Sequence, residues 1–168
     1  MKNKNQTTYI VEAGLIAAIY FCLNFVSSAV GLGFGPIQLR LSESLCLLPI
    51  LMPSAVPGLA VGCALANIMS PYGVIDIAVG SLATLIAALL TRRFRNITWK
   101  NIPFLSALMP IIINGIIVGA EIAFFQPVSG ARFITFLITA GEVAAGELIA
   151  MILAVLLLKG LKKYFKER

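Results

Sequence analysis

Long apolar runs separated by short polar breaks constrain this 168-residue chain more than any other feature of its sequence. Hydrophobic residues make up 60% of the chain and charged residues 12%, and the mean hydropathy is +0.98. A water-soluble fold cannot bury that much apolar surface. A helix needs roughly 20 apolar residues to cross a bilayer core of about 30 Å, and the runs approach that length. The sequence therefore predicts an integral membrane protein.

Polar breaks, prolines and glycines divide the chain into six apolar segments. We predict an all-α bundle of six transmembrane helices, forming a single domain over residues 1–168. The second and third segments are short and contain Pro49, Pro53 and Pro57, so they are kinked or steep, or form a hairpin that does not fully span. The predicted segments are Tyr9–Val30, Leu41–Pro53, Gly58–Met69, Val74–Leu90, Pro103–Phe125 and Phe133–Leu158.

Lysine and arginine segregate along the chain in a way that predicts its orientation. Cytoplasmic loops of membrane proteins carry an excess of these residues next to the helix ends. Three basic clusters fall on one side of the predicted topology, and only Arg40 and Arg132 remain for the other side. We therefore expect both termini in the cytoplasm and the loop Gly31–Leu39 outside. The clusters are Lys2 and Lys4; Arg92, Arg93, Arg95 and Lys100; and Lys159, Lys162, Lys163, Lys166 and Arg168.

Several function classes are poorly supported by the composition. The net charge of +6 does not indicate nucleic-acid binding, because anchoring at anionic lipid headgroups explains every basic cluster. The chain has no histidine, and Cys22, Cys46 and Cys63 lie in apolar runs without metal-ligand spacing. No Walker A sequence is present, so the chain does not hydrolyse ATP by itself. We predict neither a cofactor nor a metal.

Ionisable and amide side chains inside the predicted helices are the candidate binding residues, since such groups are expensive in a bilayer. Five acids lie in the outer half or near the middle of the predicted bundle, against two arginines at its outer rim. This surplus favours a ligand that is cationic or rich in N–H donors. The predicted substrate-binding residues are Gln38, Arg40, Glu43, Asn67, Asp76, Asn114, Glu121, Glu142 and Glu147.

Helical spacing places some of these residues together and others apart. Asn114 and Glu121 are seven residues apart and project from nearly the same helix face, so both can line one cavity wall. Glu142 and Glu147 are five residues apart and point in different directions, which speaks against a catalytic carboxylate pair. We expect one of the two to face the pocket and the other to serve the structure.

Each polar residue also has a structural interpretation. Arg40 and Glu43 are three residues apart and can form an interfacial salt bridge. Asp76 can stabilise the start of a helix through the helix dipole. Asn67 and Asn114 can join helices by hydrogen bonds instead of contacting a ligand.

Small residues predict close helix contacts in two segments. In the first segment Ala13 with Ala17, and Gly14 with Ala18, form two overlapping small-xxx-small pairs. Such a flat stripe can pack against a helix of another chain or against a helix of this chain. We interpret the GxxxG sequence at residues 115–119 as a packing contact.

Four stretches of the chain carry a resemblance that extends over nearly the whole sequence. They are GPIQLRLSESLCLLP at Gly35–Pro49, PGLAVGCALANI at Pro57–Ile68, DIAVGSLATLIAALLT at Asp76–Thr91 and NGIIVGAE at Asn114–Glu121. The first is the most distinctive. Together they resemble the QueT family of substrate-binding S components of energy-coupling factor transporters, which take up queuosine precursors.

The resemblance implies a six-helix S component with both termini in the cytoplasm, a pocket open to the outside and a first outer loop that acts as a lid. It implies association with a transmembrane coupling subunit and two ATPases, with Ala13 and Ala17 similar to the AxxxA pattern that docks on the coupling subunit. The implied ligand is a 7-deazaguanine such as preQ1. Its guanine edge presents adjacent N–H donors to a carboxylate, and an aminomethyl arm adds a cation.

Other functions stay open on the residues alone. They are an S component for another small polar nutrient or vitamin, a proton-coupled carrier acting alone, and a small intramembrane enzyme that uses Glu142 and Glu147. The lack of histidine, and of a nucleophile at a recognisable spacing from a base, speaks against the enzyme.

Overall fold

The computed structural model describes residues 5–33, 38–70, 73–100, 102–125 and 130–166, with side chains up to residue 161. The described residues are helical apart from loops and one two-residue bridge between Trp99 and Ile102. In chain order the helices are α1 (Gln6–Ala29), two 3-10 helices (Leu41–Leu45 and Leu48–Ile50), α2 (Ala55–Asn67), α3 (Val74–Arg93), α4 (Phe104–Phe125) and α5 (Arg132–Lys166).

The predicted all-α architecture is confirmed, and all six apolar segments are helical. Among the described residues, α1, α3, α4 and α5 are long and apolar enough to cross a membrane, and two shorter apolar helical segments lie between α1 and α3. The predicted bounds differ most at the end of α5, which continues past Leu158 to Lys166. Large apolar side chains such as Leu15, Ile116 and Leu156 are more than half exposed on the outside of the bundle, as contact with lipid requires.

The second segment forms 3-10 helices in place of the predicted α-helix. Pro49 has no N–H to donate, which removes one α-helical hydrogen bond. Ser44 Oγ donates to the carbonyl of Leu41 at 2.6 Å and so competes with α-helical bonding of that carbonyl. The backbone bonds run to the third residue before the donor, as from Cys46 N to Glu43 O at 2.9 Å. This tighter helix has a larger rise per residue than an α-helix.

The Leu41–Pro53 stretch follows α1 along most of its length. At one end Leu41 N donates to Ser27 Oγ at 2.9 Å, and at the other Tyr9 Oη donates to Pro53 O at 3.4 Å. Ser27 and Tyr9 are about 27 Å apart along an α-helix. At the rise of a 3-10 helix, Leu41–Pro53 covers about 24 Å. The second segment therefore runs the depth of the bundle, and α2 returns along α1.

The helices form a ring in chain order. Helix α1 packs on α2, α2 on α3, α3 on α4, and α4 on α5. The 3-10 helix Leu41–Leu45 contacts both α1 and α5, and it closes the ring between them. The side chains of Tyr20, Leu47 and Leu59 are fully buried in the main apolar core. Polar residues on this 3-10 helix are thereby held inside the bundle.

Glycines on α2 let it approach α1 closely. A Cβ at Gly58 would lie 2.7 Å from the carbonyl oxygen of Ala13, and a Cβ at Gly62 would lie 3.0 Å from that of Ala17. The first small-residue pair of α1 therefore packs within the chain. The GxxxG at residues 115–119 similarly packs α4 on α5, as predicted.

Basic side chains gather at the end of the bundle where α1 begins, which we call the basic end. Contacts place the end of α3, the start of α4 and the C-terminal half of α5 there. The described basic residues at this end are Arg92, Arg93, Arg95, Lys100 and Lys159. Lys2, Lys4, Arg168 and loop residues 34–37 lie outside the described residues, as do the side chains of Lys162, Lys163 and Lys166. The cytoplasmic location of the basic end stays a prediction.

Two prolines leave backbone carbonyls without an N–H donor, and side chains of α3 donate to these carbonyls instead. Pro110 lies inside α4 and has no N–H for the carbonyl of Ser106, four residues earlier. Thr91 Oγ1 donates to that carbonyl at 3.1 Å, and Ser106 Oγ donates back to Thr91 O at 2.9 Å. Pro53 likewise has no N–H for the carbonyl of Pro49, to which Arg92 Nη1 donates at 3.0 Å. Thr91 and Ser106 are fully buried, so the protein itself has to supply these donors.

We predict that Thr91→Val lowers the midpoint of thermal unfolding in detergent. Valine keeps the shape of this fully buried residue but leaves the Ser106 carbonyl without its donor, a loss of about 1–3 kcal/mol. Thr135→Val is the matched control, because the Thr135 hydroxyl bonds to Ala131 O in its own helix turn. Equal midpoints for the two variants would contradict the role given to Thr91.

Candidate functional site

Polar side chains converge on a buried cavity in the middle of the ring. Its volume is about 20 Å³. Five of the nine predicted binding residues contribute to the lining, together with α3, α4 and α5 residues that were not predicted. The lining residues are Gln38, Arg40, Glu43, Gly80, Thr84, Asn114, Val118, Val143 and Glu147.

Glu43 lies on the 3-10 helix and is 3% exposed. Tyr20 of α1 donates a hydrogen bond to its Oε1, and Cys46 Sγ donates to its Oε2 at 2.8 Å. Tyr20 is fully buried and lies on the face of α1 turned toward the ring. The carboxylate is therefore held by two donors in a fixed position beside the cavity.

Arg40 forms an ion pair with Asp76, where the sequence spacing had suggested Glu43. Arg40 Nη2 lies 3.9 Å from Asp76 Oδ2, and Arg40 Nη1 donates to Asn67 Oδ1 at 3.4 Å. Asn67 Nδ2 donates to the backbone carbonyl of Asp76 at 2.9 Å. A Cβ at Gly80 would collide with that amide. Asn67 thus joins α2 to α3, which matches its structural interpretation, and neither Asn67 nor Asp76 lines the cavity.

Asn114 and Glu147 connect α4 and α5 at the cavity wall. Asn114 Nδ2 donates to Glu147 Oε1 at 2.5 Å. Glu147 Oε2 and Asn114 Oδ1 are buried and have no hydrogen-bond donor among the described residues. Two acceptor atoms of this pair can therefore take hydrogens from a ligand.

Two further predicted acids lie away from the cavity. Glu121 is 2% exposed and lies on α4 about one turn beyond Val118, and neither carboxylate oxygen has a donor among the described residues. The prediction that Asn114 and Glu121 line one wall holds for Asn114 alone. Glu142 is half-buried on α5 and does not line the cavity, so Glu147 is the acid of that helix that faces it.

Gly146 positions the segment that precedes the 3-10 helix, a role that sequence reasoning missed. A Cβ on Gly146 would collide with the backbone carbonyl of Gln38, so this segment lies directly on α5. Gln38 is 8% exposed and lines the cavity close to Glu147. Of the predicted lid loop Gly31–Leu39, residues 34–37 lie outside the described residues.

Tyr20 is a second residue that sequence reasoning missed, although a signal for it existed. Tyr20, Asn24 and Ser27 are spaced by four and three residues and form a polar stripe on the first apolar helix. All three are buried toward the ring. A polar stripe of this kind identifies the face of α1 that meets the site.

The electrostatic balance of the site is acidic. The cation of Arg40 is matched by Asp76, which leaves the buried carboxylates of Glu43, Glu147 and Glu121. Buried carboxylates with free acceptor positions favour N–H donors and cations over anions. No cluster of three metal-ligating side chains occurs in the described part of the chain.

Residues 10–163 match the QueT transporter family. The chain belongs to the QueT transporter family. It is 27% identical over 168 residues to the queuosine precursor transporter QueT of Lactococcus lactis subsp. cremoris, and the alignment covers 95% of each chain. No solved structure matches the chain. Family membership and four helices of membrane-spanning length make it a multi-pass membrane protein.

The predicted docking residues of this QueT family member lie at the contact between α1 and α2. Ala17 is 4% exposed and packs against Gly62. Ala13 is half-buried and lines an apolar groove of about 300 Å³ that also includes Gly14 and Pro57. The groove opens to the outside of the bundle, so Ala13 and Gly14 are the accessible small residues. Docking at Ala13 and Ala17 stays a prediction.

We predict that Arg40→Met destabilises this QueT family member by about 3–5 kcal/mol, because it leaves Asp76 buried without its cation. The double variant Arg40→Met/Asp76→Leu is expected to recover most of the loss, since no charge is then stranded. Arg93→Met, at an exposed arginine, is the control and changes stability by about 0.5 kcal/mol or less. Thermal unfolding in detergent measures all three, and an Arg40→Met midpoint equal to the control would refute the ion pair.

Proposed function

We propose that this chain is the substrate-binding S component of an energy-coupling factor importer and that it captures a queuosine precursor, a 7-deazaguanine such as preQ1, from outside the cell. The proposal has two supports. One is membership of the QueT family together with the name of the Lactococcus relative. The other is the buried set of hydrogen-bond acceptors at the cavity, which is the structural observation that carries it.

The chemistry of a 7-deazaguanine complements these acceptors. Its guanine edge carries adjacent N–H donors, which a carboxylate accepts in bidentate geometry. Glu147 has a free oxygen and Asn114 a free carbonyl oxygen next to it, so this pair is suited to that edge. The aminomethyl arm of preQ1 is a cation, and a second carboxylate, Glu43 or Glu121, balances it. Under this proposal the acidic surplus is neutralised by the ligand.

The cavity must enlarge to admit such a ligand. Its volume of about 20 Å³ is far below the ~300 Å³ at which small-molecule pockets begin. The stretch Gln38–Arg40 covers the cavity and rests on α5 at Gly146, without a side chain between them. We propose that this stretch moves away from α5 when ligand enters and returns over it afterwards. This is the lid role expected of the first outer loop.

The energy source lies in other subunits under this proposal. The chain has no Walker A sequence, so two ATPases supply ATP hydrolysis, and a transmembrane coupling subunit links them to this chain. The apolar groove that contains Ala13 and Gly14 supports docking of the coupling subunit, because small residues let a neighbouring helix approach closely. The basic end then faces the cytoplasm, in line with the positive-inside rule.

We predict that the purified protein binds preQ1 with submicromolar affinity in isothermal titration calorimetry. Glu147→Gln is expected to weaken binding by at least about tenfold, because hydrogen bonds to a charged acceptor contribute about 1.5–3 kcal/mol. Glu142→Gln is the matched control, being the same change on the same helix outside the cavity. It should leave the affinity unchanged.

Two outcomes of this titration would overturn the assignment. Absence of binding heat with intact, folded protein would remove the substrate class and favour an S component for another polar nutrient. Equal affinities for Glu147→Gln and Glu142→Gln would keep the substrate but reject the cavity as its site. A parallel titration with 7-cyano-7-deazaguanine, which lacks the cation, measures the contribution of the ammonium.

We also predict that the tagged chain, solubilised from its native membrane, co-purifies with ATPase subunits. Ala13→Leu should reduce the yield of these subunits, because a larger side chain fills the groove on α1. Gly141→Leu is the control, since the space around Gly141 is open and it lies on a different helix. Recovery of a chain that transports preQ1 without any ATPase would instead identify a solitary carrier.

A further inference from the structure

A second groove lies between α4 and α5 on the outer surface of the bundle, away from the ligand cavity. Its volume is about 330 Å³, and its walls are almost wholly apolar. It begins at the loop before α4 and runs toward the middle of the bundle. The lining residues are Ile102, Phe104, Ala107, Leu108, Ile111, Leu148, Met151, Ile152, Val155 and Leu156.

The length of the groove suits an acyl chain. From Phe104 to Ile111 it extends about 10 Å along α4, and from Leu148 to Leu156 about 12 Å along α5. One leaflet of the hydrocarbon core is about 15 Å deep, so the groove covers most of one leaflet.

Two cations lie at the end of the groove that reaches the basic end of the bundle. Lys100 precedes the lining residue Ile102, and Lys159 follows Leu156 on α5 by about one helical turn. Both lysines are exposed. No acidic residue lies between Glu147 and Lys159 on α5, so nothing on that helix offsets the charge of Lys159.

The position of Lys100 is built into the loop. Trp99 and Ile102 exchange backbone hydrogen bonds in both directions, each at 2.9 Å. Lys100 lies in this tight turn with φ 47°, a left-handed conformation that is uncommon outside glycine. Its Nζ lies 5.1 Å from the centre of the Trp99 ring, which is 67% exposed. Tryptophan is enriched at the membrane–water interface, so this turn lies at headgroup level.

We propose that this groove is a binding site for an anionic phospholipid, with one acyl chain in the groove and the phosphate between Lys100 and Lys159. An acyl chain matches the apolar walls and the length of the groove, and the phosphate matches the two cations where the groove ends. Basic pockets at the ends of apolar helix grooves bind anionic headgroups in this way. The site is distinct from the ligand cavity and does not depend on the proposed function.

Trp99 provides a direct test, because it is the single tryptophan of the sequence. The full chain is reconstituted in two series of phosphatidylcholine vesicles. One series contains increasing fractions of phosphatidylglycerol brominated on one acyl chain, and the other contains the same fractions of phosphatidylcholine brominated in the same way. Brominated phosphatidylglycerol is expected to reach half-maximal quenching of Trp99 fluorescence at a much lower fraction than brominated phosphatidylcholine. Each lysine should contribute roughly fivefold to this preference.

Three variants separate the site from general surface charge. Lys100→Gln/Lys159→Gln should abolish the preference for phosphatidylglycerol, while Arg93→Gln/Arg132→Gln removes two cations elsewhere and should retain it. Ala107→Phe fills the groove and should also abolish the preference, although both lysines remain. The thermal midpoint of each variant is measured in parallel to establish that it is folded.

Three results would overturn the proposal. Equal quenching by the two brominated lipids in the unaltered chain would show that no anionic lipid is selected. A preference that survives in Lys100→Gln/Lys159→Gln would place the lipid elsewhere. A third result would make the groove an interface between two copies. In that case the chain runs as a dimer and neither brominated lipid quenches Trp99, whereas both lipids quench it in Ala107→Phe.

Discussion

A polar group inside a bilayer must find its partner within the protein, and this constraint governs most of the structure. Prolines at positions 53 and 110 each leave the carbonyl four residues earlier without its helical donor, and side chains of α3 donate to that carbonyl instead. The same constraint explains why a stretch as rich in serine and proline as Leu41–Pro53 stays helical in a tighter form. A backbone that cannot be α-helical here still has to bond internally.

The constraint applies more strongly to charge, and the bundle divides its ionisable groups accordingly. Arg40 and Asp76 neutralise each other, with Asn67 bonded to both, so this group holds the helices together. The acids at the cavity are held by neutral donors such as Tyr20 and Asn114 and form no ion pair with a described residue. A protein tolerates such a surplus where a ligand of opposite charge completes it. Under the proposed function, structural and binding roles are thus separated by whether the protein itself supplies the counter-charge.

Most of the architecture followed from hydropathy, since segment length and polarity depend on local sequence alone. The spacing of Glu142 and Glu147 correctly predicted that they diverge, because α5 is a regular helix. For Arg40 and Glu43, the spacing suggested a salt bridge between the two residues. The fold instead brings Asp76 of α3 to the arginine. Gly146 was invisible to sequence reasoning, since its importance comes from the backbone of Gln38 passing over it, a contact between elements distant in sequence. The partner of a buried charge is a tertiary property.

The 3-10 crossing has a consequence for which sequence changes the bundle can accept. A 3-10 helix repeats every three residues, so Glu43 and Cys46 occupy nearly equivalent angular positions along Leu41–Leu45 and its last turn, and Arg40 directly precedes this helix. Insertion or deletion of one residue in this stretch would rotate everything beyond it by a third of a turn and carry either the arginine or the glutamate away from its partners. A change of three residues would preserve the angular register. Insertions and deletions in this stretch are therefore restricted to multiples of three residues, the period of the 3-10 helix.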